Sequence, residues 1–489
     1  MKSKKQSKIL PLLLTGLAVN SVSPAPLFAK NEQKSKKPNV VIILMDDLGS
    51  SDVSFGGCRD YRTPNIDKIA QNGVQCTNAY ISSPYSGPSR CGLNTGRYEQ
   101  RFGAEMNLGT EATNEKGEAL GVPLDEMMLS ELMHNNGYTT CGLGKWHMGD
   151  DKSLWPNNLG FDYFYGFSCG HFNYWGIRMN ANKKKFPRSV DKYIQENGVE
   201  VPASKTTYLT DDFTDKAVNF INENANGDKP MYMYVAYNAP HGPFQAPQKY
   251  LDRTKHIFNA HRSIYAAMVL AADDGVGRIE QALEENGVLD NTLIIFLSDN
   301  GGTADAMNYP RRAFKGNMFD GGIYTPFAMS WPGHIKAGTK YDKVISSLDI
   351  FPTVAEAAGV DVKKQCPKPL DGVSLLPYIN GENEGEPNHK LFWRTAGKFE
   401  YAARIGDYKL VKRYYTDKFM LFNLREDPIE EHDIADQHPD LVKKMAEEYE
   451  KWDAQMIAPR WKDDHRLHQE QDYEAWFKAR KQATVHKIH

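Results

Sequence analysis

The sequence lacks an excess of charge of either sign. Its 489 residues include 59 Lys and Arg against 62 Asp and Glu, which gives a net charge of −3. This balance argues against a dedicated nucleic-acid-binding protein and leaves room for a local basic pocket that takes a small anion. The sequence also has no internal repeat and no low-complexity tract. With 40% apolar and 25% charged residues, it has the composition of a globular protein with a large core.

Cysteine is sparse, and no two cysteines have the C-x-x-C spacing of common zinc motifs. The six residues are Cys58, Cys76, Cys91, Cys141, Cys169 and Cys366. In an exported protein such a set is compatible with one or two disulfides. Small buried thiols are an equally good interpretation, and the spacing does not choose between them.

A long hydrophobic run is missing as well. The apolar segment 9–19 is too short to span a bilayer comfortably. Basic residues precede it and small residues suited to cleavage follow it, namely Lys2, Lys4, Lys5, Lys8, Ala25 and Ala29. This pattern predicts a signal peptide over 1–29, followed by a polar linker over 30–38. We therefore expect an exported protein, periplasmic or secreted, without stable membrane insertion.

From residue 39 the sequence alternates between predicted strands and helices. The apolar run 40–45 is typical of a strand buried on both faces. Further strands are predicted at 231–236, 292–297 and 326–331, and helices at 124–134, 211–226 and 261–286. This order predicts an α/β fold in which a large, mostly parallel or mixed sheet is sandwiched by helices. We assign it to a main domain over 39–377.

The character of the chain changes after residue 377. A polar segment over 380–388 is followed by short strand-like runs at 390–393, 401–405, 408–414 and 419–423. A charged amphipathic helix is predicted at 441–452. We expect a smaller C-terminal α+β subdomain over 378–489, built from an antiparallel sheet and one helix.

Polar side chains follow the predicted strands at their carboxyl ends, where ligands bind in open α/β sheets. The oxygen ligands Asp46, Asp47, Asp299 and Asn300 suit Ca²⁺ or Mg²⁺ better than Zn²⁺. Basic groups suited to anion binding and proton transfer stand at comparable places, namely Lys145, His147, His241 and Lys315. Together they predict a metal-assisted site that acts on an anion.

The segment 83–97, Ser-Pro-Tyr-Ser-Gly-Pro-Ser-Arg-Cys-Gly-Leu-Asn-Thr-Gly-Arg, contains several candidate nucleophiles. A helix that begins near 86–89 would turn its free N–H groups toward an anion. The segment does not match the G-x-S-x-G elbow of ester hydrolases, because Cys91 replaces the second glycine. Cys91 as a thiolate nucleophile would need a nearby His base, which the sequence leaves open.

These motifs resemble the formylglycine-dependent sulfatases, the arylsulfatase-type branch of the alkaline phosphatase superfamily. The signature of that family has Cys or Ser, any residue, Pro, usually Ser, and Arg, with Thr-Gly-Arg further on. Residues 86–90 and 95–97 match it, whereas a register starting at Ser82 puts Ser86 where Arg is required. Other family landmarks occur in order, as MDDLG, GKWHMG, APHGPF, SDNGG, KGNMFDGGIYTP and LFNLREDPIEEHDIAD. The resemblance covers the chain from about residue 37 to the helix at 441.

The resemblance implies a bacterial serine-type sulfatase in which Ser86 becomes formylglycine (3-oxoalanine) and Cys91 is a bystander. A radical maturation enzyme would make this change before export. One hydroxyl of the hydrated aldehyde would attack sulfur, and the other would later expel sulfate. One Ca²⁺ would be held by Asp46, Asp47, Ser86, Asp299 and Asn300. The implied supporting roles are hydrate binding by Arg90 with Arg97 behind it, sulfate binding by Lys145, a base at His147, and protonation of the leaving group by His241 with Lys315.

The implied substrate is a sulfated carbohydrate, such as a polysaccharide, a mucin or a host glycan, with sulfated galactose or N-acetylgalactosamine preferred. Candidate sugar contacts are His171, Asn173, Tyr174, Trp175, Arg311 and Arg312. Ordinary packing is the alternative for the aromatic cluster. One departure is Tyr324, where the family often has Arg after Glu-Gly-Gly-Ile, so the support of that loop is open.

Two other functions stay open at this point. Phosphodiesterases and phosphomonoesterases of the same superfamily use an unmodified Ser or Thr, but their two-metal members typically have Asp-His in place of Asp299-Asn300. A non-catalytic exported glycan-binding protein is the second alternative. It would be expected to have lost several of these residues, and none is lost.

Overall fold

The apolar run at 40–45 forms the central strand of a ten-stranded sheet in a computed structural model of the protein. The structure describes residues 37–461 except 399, 414, 415 and 417. The predicted signal peptide, nearly all of the linker and the tail from 462 lie outside these residues. Within them, no helix combines the length and apolar character needed to cross a membrane.

The described residues contain sixteen strands and eleven α-helices. The strands are β1 (Asn39–Met45), β2 (Val74–Cys76), β3 (Ala79–Tyr80), β4 (Thr139–Lys145), β5 (Tyr163–Phe167), β6 (Gln195–Glu196), β7 (Val199–Glu200), β8 (Met231–Ala236), β9 (Thr292–Ser298), β10 (Phe327–Ser330), β11 (Thr339–Tyr341), β12 (Ile345–Ser346), β13 (Lys390–Thr395), β14 (Glu400–Ile405), β15 (Tyr408–Lys412) and β16 (Phe419–Asn423). The helices are α1 (Pro64–Gln71), α2 (Ser86–Thr95), α3 (Leu129–Asn135), α4 (Leu209–Asn224), α5 (Gln248–Thr254), α6 (Ala260–Glu285), α7 (Asp320–Ile323), α8 (Ile350–Ala357), α9 (Val362–Gln365), α10 (Leu376–Ile379) and α11 (Pro439–Asp453).

The large sheet has the order β11-β2-β10-β9-β1-β8-β4-β5-β6-β7. Its centre, from β9 to β5, is parallel, while β10 runs antiparallel to β9 and the β5-β6-β7 edge is antiparallel. The sheet is therefore mixed, and the predicted α/β class is confirmed.

Both faces of the sheet are covered, which explains the continuous apolar run of β1. Val41, Ile43 and Met45 pack into a core shared with α4 and α6. Val40, Ile42 and Leu44 pack on the other face, into a core shared with α3 and α8. Alternate residues of β1 therefore pack into two different cores, because successive side chains of a strand point to opposite faces of the sheet.

The predicted helices and strands are found with shifted ends. The helix predicted at 124–134 begins only at Leu129, because the main-chain N–H of Met128 donates to the Glu131 carboxylate and closes its first turn. The helix predicted at 261–286 is α6, displaced by one residue. The two- and three-residue edge strands were not predicted, since such short segments carry no periodic pattern.

The C-terminal strands β13 to β16 form an antiparallel sheet, as predicted. One face packs against α11 through residues such as Tyr401 and Tyr449, whose rings stack with centroids 4.0 Å apart. The other face packs through Trp393 and Phe422 onto the segment 318–324 of the main sheet domain. The domain boundary at 377 stays a prediction.

A buried ionic cluster fixes this second contact. The Nζ of Lys409 on β15 lies 2.6 Å from Asp320 Oδ1 and 2.7 Å from Glu430 Oε1, and all three side chains are buried. The main-chain N–H of Asp320 donates to Glu430 Oε2 at 2.7 Å. Asp320 begins α7, five residues after Lys315, so the C-terminal subdomain holds the loop that carries Lys315.

All six cysteines lie within the described residues, and all are free thiols. Five are buried and Cys366 is partly buried. The sequence left open whether the cysteines form disulfides or are small buried thiols, and the structure shows buried thiols.

We expect Lys409→Met to lower the free energy of unfolding by about 3 kcal/mol, because it removes the ammonium that pairs with both buried carboxylates and leaves Asp320 with only the more distant Arg311, at 3.9 Å. Urea denaturation measures this change. Adding Glu430→Gln to the variant should restore part of the loss, since it removes one of the two unpaired charges. A loss below about 1 kcal/mol in the single variant would show that the cluster does not carry the contact.

Candidate active site

The carboxyl ends of four neighbouring strands bring the site together. Asp46 and Asp47 follow β1, the pair Asp299-Asn300 follows β9, and Lys145 is the last residue of β4. His241 lies in the loop after β8. These strands are adjacent in the order β9-β1-β8-β4, so residues far apart in sequence meet at one edge of the sheet.

Ser86 is the first residue of α2 and is 1% exposed. Its Oγ lies 2.9 Å from Asn300 Oδ1 and 3.2 Å from Asp46 Oδ1. The Nζ of Lys315 lies 3.5 Å from the same oxygen. The helix places Ser86 with its N-terminal dipole at the strand ends, where an anion is stabilised.

Arg90 stands one helical turn after Ser86 and points to the same side. Its Nε and Nη2 lie 2.9 and 2.8 Å from Asp299 Oδ2, and its Nη1 donates to the carbonyl of Lys145 at 2.9 Å. Burial opposes the charge of Arg90, but the Asp299 carboxylate outweighs it and raises the pKa of the guanidinium. Arg90 therefore ties α2 to both β9 and β4. Arg97 lies beyond the end of α2 and pairs with Glu126 at 3.0 Å.

Two lysines contact the aspartate pair. The Nζ of Lys145 lies 2.7 Å from Asp46 Oδ2, and the Nζ of Lys315 lies 2.6 Å from Asp47 Oδ1. Burial lowers the pKa of Lys145. Lys315 is partly exposed, and although burial opposes it, the charge of Asp47 raises the pKa of Lys315. Two ammonium groups thus face the space in front of Ser86.

The donor set fits a hard divalent cation. Asp46, Asp47 and His241 each offer a ligand atom, and these atoms lie within 4.8 Å of one another. Asp299 and Asn300 add oxygens beside them, and Asn300 Nδ2 donates to Asp47 Oδ1 at 2.7 Å, which turns its Oδ1 toward Ser86. Burial raises the pKa of Asp46 to about 7, against the charge of Lys145 and with the help of Asp299 and Asp47. The carboxylates crowded here therefore favour a further positive charge.

The two histidines differ in exposure and in partners. His147 is buried, and burial, followed by the charges of Lys145 and Arg90, holds its pKa well below the usual range. Its Nδ1 has no hydrogen-bond partner among the described residues. His241 lies with Nε2 3.6 Å from Asp47 Oδ2 and Nδ1 2.6 Å from the carbonyl of Gly242, and burial lowers its pKa to about 3. Both rings are neutral and able to accept a proton.

Two site residues have strained backbone. Asp47 has φ 64° and His147 has φ 59°, in the left-handed region that non-glycine residues rarely adopt. Gly170 packs directly on the His147 ring, and a Cβ there would lie 2.6 Å from Nε2. Such conformations persist where surrounding contacts fix them, and they cluster at functional sites.

Sequence reasoning missed several residues that support the site. Asn107 Oδ1 accepts the N–H of Gly87 at 3.0 Å, next to Ser86. Beneath the aspartate pair, the Tyr265 hydroxyl lies 2.7 Å from Asp52 Oδ2 and 3.2 Å from the carbonyl of Asp47. An isolated Asn or Tyr has no sequence signal of this kind. Glu430, by contrast, stands in the landmark 421–436 and could have been marked.

The rival nucleophiles of the segment 83–97 are placed away from this chemistry. Burial raises the pKa of the Cys91 thiol strongly, so it is protonated and lacks the character of a thiolate nucleophile. The Ser83 hydroxyl accepts the N–H of Tyr85 at 3.3 Å. Ser86 alone of these residues contacts the aspartate and asparagine oxygens through the bonds described above.

The loop around Tyr324 has its own support. The Arg311 guanidinium stacks on the Tyr324 ring, with its carbon 3.3 Å from the centroid, and Tyr324 packs edge-on against Tyr80. Arg312 packs on Phe319 and donates to the carbonyl of Glu430 at 2.7 Å. The tyrosine therefore replaces the expected arginine by aromatic and cation–π packing. Both arginines hold the loop, and a sugar contact for them stays a prediction.

The cluster 171–175 divides into exposed and buried residues. His171 is exposed, and Trp175 is 39% exposed and packs against Tyr208. The Asn173 amide binds the main chain of Trp175 and Ile177. Tyr174 is fully buried, and its hydroxyl lies 2.8 Å from the carbonyl of His241. This tyrosine holds the His241 loop and has no ring face open to a sugar.

Comparison with known proteins agrees with this geometry. Residues 38–360 match the model of the Sulfatase family, and residues 312–455 match that of the N-sulphoglucosamine sulphohydrolase C-terminal domain. The uncharacterized sulfatase YdeN of Escherichia coli (strain K12) is 31% identical over 86% of this chain and 86% of that protein. N-acetylgalactosamine-6-sulfatase of Mus musculus is 31% identical over 76% of this chain and 71% of that protein.

Solved structures show the same architecture. Ps i-CgsB, determined in complex with k-i-k-neocarrahexaose, has a TM-score of 0.78 and 37% identity, covering 87% of this chain and 95% of that one. The PsFucS1 sulfatase from Pseudoalteromonas sp. has a TM-score of 0.72 and 25% identity, covering 88% and 92%. With the family model matched over most of the chain and the site assembled at the strand ends, the protein belongs to the sulfatase family and is a sulfuric ester hydrolase.

Proposed function

We propose that the protein removes sulfate from a sulfated carbohydrate, with residue 86 as the nucleophile after conversion to formylglycine and with one bound Ca²⁺. The observation that carries the proposal is the position of Ser86 Oγ, at a helix N-terminus and within 3.2 Å of both Asp46 and Asn300 oxygens. Buried Lys145, partly exposed Lys315 and two neutral histidines belong to the same site. The match of residues 86–90 and 95–97 to the serine-type signature supports conversion of Ser86 by a radical maturation enzyme before export.

Different residues of the chain carry out different steps of the reaction. Lys145 and Lys315 present ammonium groups that bind the oxygens of the sulfate group. His147, neutral and with a free Nδ1, takes the proton from the nucleophile. His241 and Lys315 are the partly exposed groups of the site, and both contact Asp47. The Lys315 ammonium supplies the proton for the leaving oxygen, and neutral His241 lies beside the same carboxylate and positions that oxygen. Arg90 binds the Asp299 carboxylate and so fixes the position of α2 relative to β9. It thereby holds residue 86, the nucleophile on the same helix, in place.

Formylglycine supplies, as its hydrate, one hydroxyl to attack sulfur and a second to expel sulfate, which an ordinary serine sulfate ester lacks. The surroundings of Ser86 suit such a diol, because Asn300 and Asp46 offer acceptors and Lys315 offers a donor. Ca²⁺ would be held by Asp46, Asp47, Asp299, Asn300 and residue 86, and it would offset the negative charge that gathers on the sulfate.

For the substrate we propose a sulfated galactose or N-acetylgalactosamine unit in a polysaccharide or mucin. The N-acetylgalactosamine-6-sulfatases among the relatives and the carbohydrate complex of Ps i-CgsB support this class. Trp175 and His171 are the exposed side chains of the cluster 171–175 that are placed to meet the sugar. Phosphate-ester hydrolysis by an unmodified serine is less well supported, because Asn300 stands where two-metal relatives carry histidine.

We expect Ca²⁺ to raise the melting temperature of chelator-treated protein more at pH 7.5 than at pH 5. The raised pKa of Asp46, about 7 against 3.8 for a free carboxyl, means that ionising it destabilises the metal-free protein as the pH rises from about 4 to about 7. At pH 5 the proton competes with Ca²⁺, and at pH 7.5 it does not. Thermal melts with and without Ca²⁺ at both pH values test this.

Asp46→Asn is the matched control for this experiment. It removes the titrating carboxyl and should abolish most of the difference between the two pH values. Burial also raises the pKa of Asp349 and that of Asp273 to about 7. Both residues lie outside the ligand set, so they affect melts with and without Ca²⁺ alike. An equal Ca²⁺ shift at both pH values would contradict the assigned ligand set.

Protein co-produced with a serine-type maturation enzyme should release sulfate from one or more members of a panel of defined sulfated sugars. The peptide that carries residue 86 should be lighter by the mass of two hydrogen atoms. Ser86→Ala should lose at least about 10³-fold in turnover, because the nucleophile is gone, while it keeps sugar binding. Ion chromatography of released sulfate and mass spectrometry are the measurements.

Cys91→Ser is the control, since this buried thiol takes no part in the reaction and its replacement should change kcat by less than about threefold. Activity retained in Ser86→Ala would move the nucleophile elsewhere. Turnover of phosphate esters alone, with a requirement for Zn²⁺, would favour the phosphatase alternative.

A further inference from the structure

A strongly basic loop lies between β5 and β6. We name residues 178–192 the basic loop, because they contain six cationic side chains and one carboxylate in a protein whose net charge is −3. The cations are Arg178, Lys183, Lys184, Lys185, Arg188 and Lys192. Neither the metal site nor the sulfate site uses any of them.

Three of these cations anchor the base of the loop. Arg178 pairs with both Asp191 and Glu200, and Lys192 pairs with Asp150. Arg188 Nε lies 3.7 Å from Glu111 Oε2. The main chains of Met179 and Lys192 exchange two hydrogen bonds of 2.9 Å, which close the loop at its base. These contacts fix the conformation of the base of the loop.

The other three cations stand together at the tip. Lys183, Lys184 and Lys185 are consecutive and exposed, and within the described part of the chain they form no ion pair within 4.0 Å. A turn fixes their backbone, because Asn182 accepts the N–H of Phe186 through its carbonyl at 2.8 Å and that of Lys185 through its side chain at 3.1 Å. The tip therefore presents three adjacent positive charges that no carboxylate of the described chain neutralises.

The base of the basic loop is connected to the active site by hydrogen bonds. Lys192 holds one oxygen of Asp150, and the other accepts the Ser168 hydroxyl at 2.7 Å. The carbonyl of Ser168 accepts the N–H of His147 at 2.9 Å. Partial burial of the His171 ring lowers its pKa, and the charges of Lys145, Lys192 and Lys315 lower it further, so cations of both the site and the base of the loop act on this residue. Three hydrogen bonds connect Lys192, at the base of the loop, to the main chain of the proposed base His147.

We propose that Lys183, Lys184 and Lys185 bind additional sulfate groups of a multiply sulfated polysaccharide, outside the sugar unit whose sulfate is removed. The inference rests on the proposed function and names the substrate as a polyanion rather than a singly sulfated glycan. Charge complementarity supports it, because clustered cations on the surface of an enzyme raise the local concentration of an anionic chain and speed its association. Nucleic acid is a poorer fit, since the aromatic side chain at the tip, Phe186, is partly buried and lies under the Lys185 ammonium, 5.2 Å from its ring centroid, so it is not free to stack on bases.

The test compares Lys183→Gln/Lys184→Gln/Lys185→Gln with a matched triple variant. Lys336, Lys363 and Lys364 are exposed lysines whose change to Gln removes the same charge. Gln365, next to Lys364, bonds to Asn136, which precedes β4, so this control lies near the opposite end of the sheet from the active site. Neither variant touches the residues assigned to metal, nucleophile or sulfate.

Binding is measured first, without turnover, on the Ser86→Ala protein with dextran sulfate, carboxymethyl dextran and uncharged dextran as probes. We expect dextran sulfate to bind, the tip variant to weaken this binding about tenfold at low salt, and the control variant to change it less than twofold. Raising the ionic strength should erase the difference. Equal binding by the tip and control variants would overturn the proposal, as would tighter binding of a DNA oligonucleotide of equal charge.

Turnover then separates this proposal from the proposed function. With a monosulfated monosaccharide from the panel, the tip variant should keep its kcat and KM, whereas dextran sulfate should inhibit it about tenfold less strongly than it inhibits the parent. If no sulfated sugar is hydrolysed but the tip variant still loses dextran sulfate binding, the polyanion surface stands and the proposed function fails. If sulfate is released and the inhibition is unchanged in the tip variant, the polyanion surface is wrong and the proposed function stands.

Discussion

The site depends on a balance of buried charge at one edge of the sheet. Three carboxylates, those of Asp46, Asp47 and Asp299, converge there and are faced by Arg90, Lys145 and Lys315. Apart from Asp46 and Asp47, which both follow β1, each group is carried by a different strand, helix or loop, so the balance exists only when all of these elements are in place. A buried ion without its partner is strongly destabilising, and this constraint ties the fold to the geometry that the chemistry needs.

The same kind of constraint joins the two parts of the chain. Lys409 on the C-terminal sheet sits between Asp320 and Glu430, and Asp320 begins the short helix after Lys315. The subdomain is therefore part of the support of the active site. The replacement of the usual arginine by Tyr324 fits this arrangement, because aromatic packing against Tyr80 and Arg311 steadies the loop where charge pairing is already supplied from the subdomain.

Charge also extends beyond the reaction centre. Lys145 and Lys315 lie within the site and contact the aspartate pair, whereas the tip of the basic loop carries exposed lysines outside it. A sulfatase that removes one group from a polymer has to hold the rest of that polymer, and surface charge is suited to this because it tolerates variation in the sugar. Interactions between charges are strong inside the site because the groups there are buried. On the exposed loop they are weaker and screened by salt, so they depend less on the exact position of each sulfate.

The sequence by itself determined the central strands and the order of the polar residues at their ends, and it singled out Ser86 as the proposed nucleophile, because apolar runs and the motif at 86–97 are local patterns. It could not determine the pairing of the two-residue strands β3 and β12 or the reversed direction of β10, since these depend on partners far along the chain. Tertiary structure alone decided that Tyr174 is buried, that Asn107 supports Gly87, and that Lys409 reaches Asp320. Burial and pairing are properties of the assembled fold, and no local pattern encodes them.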